Sequence, residues 1–109
     1  MNEQYKAAIE KSTRRAQVVY FSTPTCGPCR VMKPGMRDLK ALYGFDLVEL
    51  DATEFAADEL KEMGIRAVPH IKVIIRGQVT DDIVGQRSSS EMKRILTQAN
   101  VITDGLDFE

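Results

Sequence analysis

The sequence predicts one α/β domain, a central four-stranded mixed sheet flanked by helices on both faces. Three observations carry this. A length of 109 residues gives room for a single core. Apolar residues fall either in short continuous runs, which suit buried strands, or at a three-to-four spacing, which suits amphipathic helices. The two patterns alternate along most of the chain, as they do where helices cover a sheet.

Residues 3–11 carry Tyr5, Ala8 and Ile9 on one helical face. Residues 18–21, Val-Val-Tyr-Phe, are β-branched and aromatic throughout and read as a strand buried on both faces. The turn residues Ser22, Thr23, Pro24 and Thr25 end it. From Pro28 to about Leu42 a helical pattern runs through Met32, Met36 and Leu39. Pro34-Gly35 interrupts that helix, and a proline there removes a hydrogen bond and kinks the axis.

Residues 45–50 read as a second strand, and residues 54–63 as a helix with Ala56, Ala57, Leu60 and Met63 on one face. Residues 65–68 lead to Pro69, residues 70–75 form a third strand and residues 79–84 a fourth, with a tight turn at Arg76-Gly77 between them. Gly85 ends the fourth strand. Ser89 or Ser90 is expected to cap a last helix bearing Met92, Ile95, Leu96 and Ala99. Residues 104–109 are polar and acidic, and a loosely held tail is expected there. The first two strands, joined through a helix, should be parallel with a right-handed crossover, and the last two antiparallel. Repeats, low-complexity tracts and linkers are absent from the sequence.

Fifteen basic residues stand against 16 acidic ones, a net charge of −1, so composition gives no reason to expect a nucleic-acid or membrane-surface partner. The polar start, residues 1–11, lacks the apolar stretch of a signal peptide, and no run has the length of a transmembrane helix. The expected compartment is the cytoplasm. No apolar stripe demands a dimer, so a monomer is expected.

The chemistry-bearing feature is a pair of cysteines, Cys26 and Cys29, at the junction of a buried strand and a helix. A bridge across two residues closes too small a loop to stabilise the fold much. Cys26 lies at the helix start, where unpaired N–H groups and the helix dipole favour a thiolate and make it a nucleophile near neutral pH. Cys29, about one turn on, can attack a mixed disulfide formed on Cys26. Gly27 permits close approach of a partner chain, and Pro28 suits the first helical turn. The uncharged Gly-Pro pair points to a reductant rather than an oxidant. The bland alternatives are a zinc half-site and inert core thiols. A structural zinc site needs four ligands, and one histidine is all that remains; inert thiols leave Gly-Pro unexplained. No metal or other cofactor is expected beyond the Cys26–Cys29 disulfide itself.

Thr25-Cys26-Gly27-Pro28-Cys29-Arg30 resembles the active-site segment of the thioredoxins. Pro34 matches the family's helix-kinking proline, and residues 64–69, Gly-Ile-Arg-Ala-Val-Pro, resemble its segment ending in a cis-proline. Gly77 and Gly85 fall at its two later glycine positions, so the resemblance covers roughly residues 17–98. It implies a thioredoxin-like fold in which Pro69 is cis and packs on the Cys26–Cys29 bridge. Val68 would offer backbone hydrogen bonds to a bound substrate strand, and Gly85 and Gln86 would form the far wall of that groove. It implies disulfide-containing proteins as substrates and a thioredoxin reductase as electron donor.

Departures accompany the likeness. The tryptophan usual before the first cysteine is replaced by Thr25, and the chain has no tryptophan. The buried aspartate common six residues before the first cysteine is replaced by Tyr20, and Glu49 falls about where a lysine often pairs with that acid. Cys29 should then be activated more weakly unless Tyr20 or His70 substitutes. His70, the sole histidine, reads either as a modulator of nearby thiolate character or, the favoured reading, as a strand residue satisfied by a neighbouring hydrogen bond. The N-terminal strand of longer thioredoxins is expected to be missing. General reduction of protein disulfides is the leading functional reading. A reductant dedicated to one partner, suggested by Thr25, and a binding or assembly module with incidental redox activity are the alternatives.

Overall fold

The computed structural model describes residues 2–103; the expected tail, residues 104–109, lies outside the described residues. In chain order come α1 (Glu3–Lys11), β1 (Gln17–Ser22), α2 (Gly27–Tyr43), β2 (Asp46–Asp51), a single 3-10 turn (Ala52–Glu54), α3 (Ala57–Glu62), β3 (His70–Ile75), β4 (Gln78–Val84) and α4 (Ser89–Gln98). The sheet order is β2-β1-β3-β4. β1 runs parallel to β2 and antiparallel to β3, and β3 pairs antiparallel with β4. Among the described residues no strand precedes β1.

Every residue of β1 is buried. Alternate side chains feed two cores, as the pleat requires. Val18 and Tyr20 join Met32, Met36 and Leu39 of α2, Ile71 and Val73 of β3, and Met92 and Leu96 of α4. Val19 and Phe21 join Tyr5 and Ala8 of α1, Phe55, Ile65 and Ile74 on the other face. The β3–β4 hairpin turns on Arg76 (φ 52°) and Gly77 (φ 80°). Two successive positive φ values are the signature of a tight primed turn, which glycine adopts without steric cost. Ser12, buried at the end of α1, holds that turn: its carbonyl accepts the Arg76 N–H at 2.8 Å and its hydroxyl the Gly77 N–H at 2.9 Å.

Two local features differ from the sequence-based expectation. The last helix is capped by Ser88, not by Ser89 or Ser90. The Ser88 hydroxyl accepts the Glu91 N–H at 3.1 Å, and the Glu91 carboxylate accepts the Ser88 N–H at 2.9 Å. Three serines in a row look alike; the glutamate three residues on selects the first of them. The helix expected over 54–63 begins only at Ala57. Asp51 takes both the N–H and the hydroxyl of Thr53, at 2.9 and 2.7 Å, and winds residues 52–54 into the 3-10 turn instead. Phe55 occupies the core position, while Ala56 and Ala57 are exposed. Pro34, in agreement with the sequence, sits inside α2, which continues on both sides of it. Having no N–H, it leaves the Arg30 carbonyl without its usual intrahelical donor.

Ser88→Ala should destabilise the domain by about 1 kcal/mol, whereas Ser89→Ala and Ser90→Ala should stay within about 0.5 kcal/mol of the parent. Urea denaturation of the three variants checks the assignment of the cap.

Candidate active site at the start of α2

β1 ends at Ser22, and four residues later Cys26 forms the N-cap of α2 in an extended conformation. Gly27 and Pro28 occupy the first helical positions, where a proline's missing N–H costs nothing. The Cys26 sulfur accepts the Cys29 N–H at 3.1 Å. A sulfur thus stands where a serine or aspartate oxygen usually caps a helix, facing a donor that nothing else in the helix can satisfy. Cys26 and Cys29 are joined as a disulfide, with Cα atoms 5.2 Å apart. Their environments differ sharply. Cys29 is 1% exposed, whereas Cys26 is partly open to solvent and Thr25, Gly27 and Pro28 are exposed.

The Val68–Pro69 peptide bond is cis. Pro69 is buried and Val68 half-buried just before β3 begins. Gly85, with φ 95°, donates its N–H to the Pro69 carbonyl at 2.9 Å. That φ is one that side-chain-bearing residues rarely adopt. Gln86 beyond it is exposed. β1 ends, β3 starts and β4 ends on the same side of the sheet, so the segments carrying Cys26, Pro69 and Gly85 leave it together.

Tyr20 is fully buried, and its hydroxyl donates to the Cys29 carbonyl at 2.8 Å. Burial pushes its pKa up to about 12, the Glu49 carboxylate adding to this and Arg37 opposing it. The phenol is therefore a neutral donor at working pH and not a base. Glu49, opposite Tyr20 in register, is held by Arg37 through two hydrogen bonds of 2.8 and 2.7 Å. Those bonds keep its carboxyl below the ordinary range despite partial burial. Where the resemblance suggested an acid with a nearby lysine, the structure has a phenol with a nearby glutamate–arginine pair.

His70 lies on the opposite face of the sheet. Its ring meets the edge of Phe21, and Nε2 is 2.7 Å from Asp82 Oδ1, which also accepts the Lys72 ammonium at 2.7 Å. Nδ1 has no partner among the described residues. The sequence reading missed Lys72 and Asp82. Their signal was the spacing of positions 70 and 72 on one face of a strand, with Asp82 opposite Lys72 across the hairpin. Burial opposes ionisation of Asp82, but hydrogen bonds from Lys72 and His70 outweigh it and hold the carboxyl below its usual value.

Among the described residues no three His, Cys, Asp or Glu side chains gather as a metal site, and no helix is long and apolar enough to cross a membrane.

A four-stranded mixed sheet covered on both faces, with a cysteine pair at the N-cap of a helix and a cis-proline leaving the same end of the sheet, defines the class of thiol–disulfide oxidoreductases. The chain belongs to the thioredoxin family, whose sequence profile matches residues 1–98. It is 30% identical over 86 residues to thioredoxin H2 of Arabidopsis thaliana, spanning 78% of this chain but only 64% of that protein. With an H-type thioredoxin of Fagopyrum esculentum it shares 29% identity over 103 residues, 92% of this chain and 84% of the other. The crystal structure of thioredoxin NaTrxh from Nicotiana alata superposes with a TM-score of 0.78 at 25% identity, covering 90% of this chain and 86% of that one.

Tyr20→Phe keeps the buried ring and removes one neutral hydrogen bond, so it should cost about 1 kcal/mol in urea denaturation. Asp82 yields a pH dependence. Its folded pKa is depressed, so its contribution is complete above the unfolded value of about 3.9 and is lost as pH falls through the lower folded one. Asp82→Asn should therefore lower the melting temperature at pH 7 and flatten its decline on acidification, measured by thermal scans from neutral to strongly acidic pH.

Proposed function

We propose that the protein reduces protein disulfides, with Cys26 as the nucleophile and Cys29 as the resolving thiol. One observation carries the assignment of roles: the sulfur that caps α2, accepting the Cys29 N–H at 3.1 Å, is the one open to solvent, while the other is 1% exposed. In the dithiol form the same N–H and the helix dipole favour the Cys26 thiolate. That thiolate attacks a substrate disulfide; one sulfur–sulfur bond forms, one breaks, and the first substrate sulfur departs and takes up a proton. Cys29 then gives up its proton and attacks the Cys26 sulfur, expelling the second substrate thiol. The substrate gains two electrons and two protons, and the protein is left as the Cys26–Cys29 disulfide.

Val68, Pro69, Gly85 and Gln86 form the substrate groove on this reading, with Thr25, Gly27 and Pro28 at its centre. The Gly85–Pro69 hydrogen bond supports it by tying the two walls together. Re-reduction falls to a thioredoxin reductase, which makes the protein an electron carrier in a reducing compartment, the cytoplasm. The protein acts as a monomer. A reductant dedicated to one partner is the second reading, supported by the exposed Thr25 where an apolar platform would broaden the substrate range.

With dithiothreitol, or with a thioredoxin reductase and NADPH, the protein should precipitate insulin by reducing it, and Cys26→Ser should lower that rate at least a hundredfold. Activity surviving this change would refute the assignment. Cys29→Ser should retain mixed disulfides on Cys26: a broad set of adducts from a lysate supports a general reductant, a single dominant one the dedicated reading.

A further inference from the structure

Although the chain has a net charge of −1, the segments flanking the dithiol are basic. Between Ser22 and Arg37 there is no carboxylate; residues 64–70 hold only Arg66, and residues 85–90 only Arg87, as charged side chains apart from the histidine. Arg30 donates to the Pro24 carbonyl at 2.8 Å, and Arg87 to the Val84 and Gln86 carbonyls at 3.1 and 3.2 Å. Among the described residues neither they nor Arg66 forms an ion pair. Arg30 and Arg66 are exposed and Arg87 half-buried. The carboxylate nearest Arg87 in sequence, Glu91, is committed to the N–H of Ser88.

Across the end of the sheet these charges are not evenly spread. On the β2 side, Glu49 is held by Arg37 and Asp51 by Thr53, with Lys33 lowering the pKa of both carboxyls. On the β3–β4 side, where Pro69 and Gly85 form the proposed groove, Arg66 and Arg87 form no ion pair among the described residues, and Arg87 only helps at longer range to lower the pKa of Glu91. Arg30 stands beside Cys29 itself. Guanidinium groups whose only bonds are to carbonyls keep most of their charge available, and their planar forks suit carboxylates.

We propose that Arg30, Arg66 and Arg87 select substrates that carry carboxylates beside the disulfide to be reduced. This rests on the disulfide-reductase reading above and names its substrate class. Charges at the mouth of a reactive site act mainly on encounter, so selection should show in the second-order rate and weaken with salt.

The test uses two synthetic peptides, each closed by one internal disulfide and identical except for glutamates or lysines flanking the cysteines. The reduced protein reacts with each, and the rates are divided by those of dithiothreitol with the same peptides, which removes the peptides' own difference in reactivity. The acidic peptide should react about tenfold faster at low salt, within the range of electrostatic steering, with the ratio falling towards one in high salt. The combined variant Arg30→Gln, Arg66→Gln, Arg87→Gln should bring the low-salt ratio close to one. A ratio near one in the parent, or a preference that survives in the variant, would overturn the proposal. If the parent reduces neither peptide nor the neutral bis(2-hydroxyethyl) disulfide, the reductase reading fails as well. Reduction of all three at matched rates overturns only the charge selection.

Discussion

The burial of β1 on both faces is the constraint from which the rest of the structure follows. A strand with water on one side could be displaced sideways at little cost; this one is held by two cores, by β2 and by β3. Its end is therefore a fixed point. The four residues after it deliver Cys26 to the first turn of α2, which is itself pinned through Met32, Met36 and Leu39 to the same strand. β3, antiparallel to β1, starts where β1 stops, so Pro69 arrives at the same end without any long loop. A sulfur on so short a leash is positioned by the sheet rather than by the loop that carries it.

The two cores do different electrostatic work. On the α2 face, Tyr20 supplies a neutral hydroxyl to the Cys29 carbonyl, and Glu49 is paired with Arg37. The α1 face instead carries a His70–Asp82–Lys72 cluster around one carboxylate oxygen. A buried lysine and histidine sharing a single acid stay inside the fold because each retains a partner; removal of the acid would strand both. The redox centre and the polar cluster are separated by the sheet, so the charge of one is not built into the other's hydrogen bonding.

Much of this was legible in the sequence because the strong signals are local. The β-branched run at residues 18–21 admits one reading, and Cys-Gly-Pro-Cys after a strand places Cys26 at the start of the next helix. The hairpin turn follows from Arg76-Gly77. What escaped were features decided by competition between near-equivalent residues or by contacts across the fold. Ser88 wins the cap over two identical neighbours through Glu91 alone. Asp51 wins residues 52–54 from the next helix by offering Thr53 two hydrogen bonds. The link between Tyr20 and the Cys29 carbonyl spans nine residues and depends on how α2 lies on the sheet, which no periodicity encodes.

Ser12 joins the end of the first helix to the tip of a hairpin more than sixty residues away, with one backbone and one side-chain contact. Hairpin tips are ordinarily where a domain tolerates inserted sequence best. Here that tip is closed to fusion or tagging, since any lengthening at Arg76-Gly77 would pull two amides off the serine, leaving its carbonyl without that donor and its hydroxyl with only the Ile9 carbonyl. An engineer wishing to graft a loop onto this scaffold must look elsewhere on its surface.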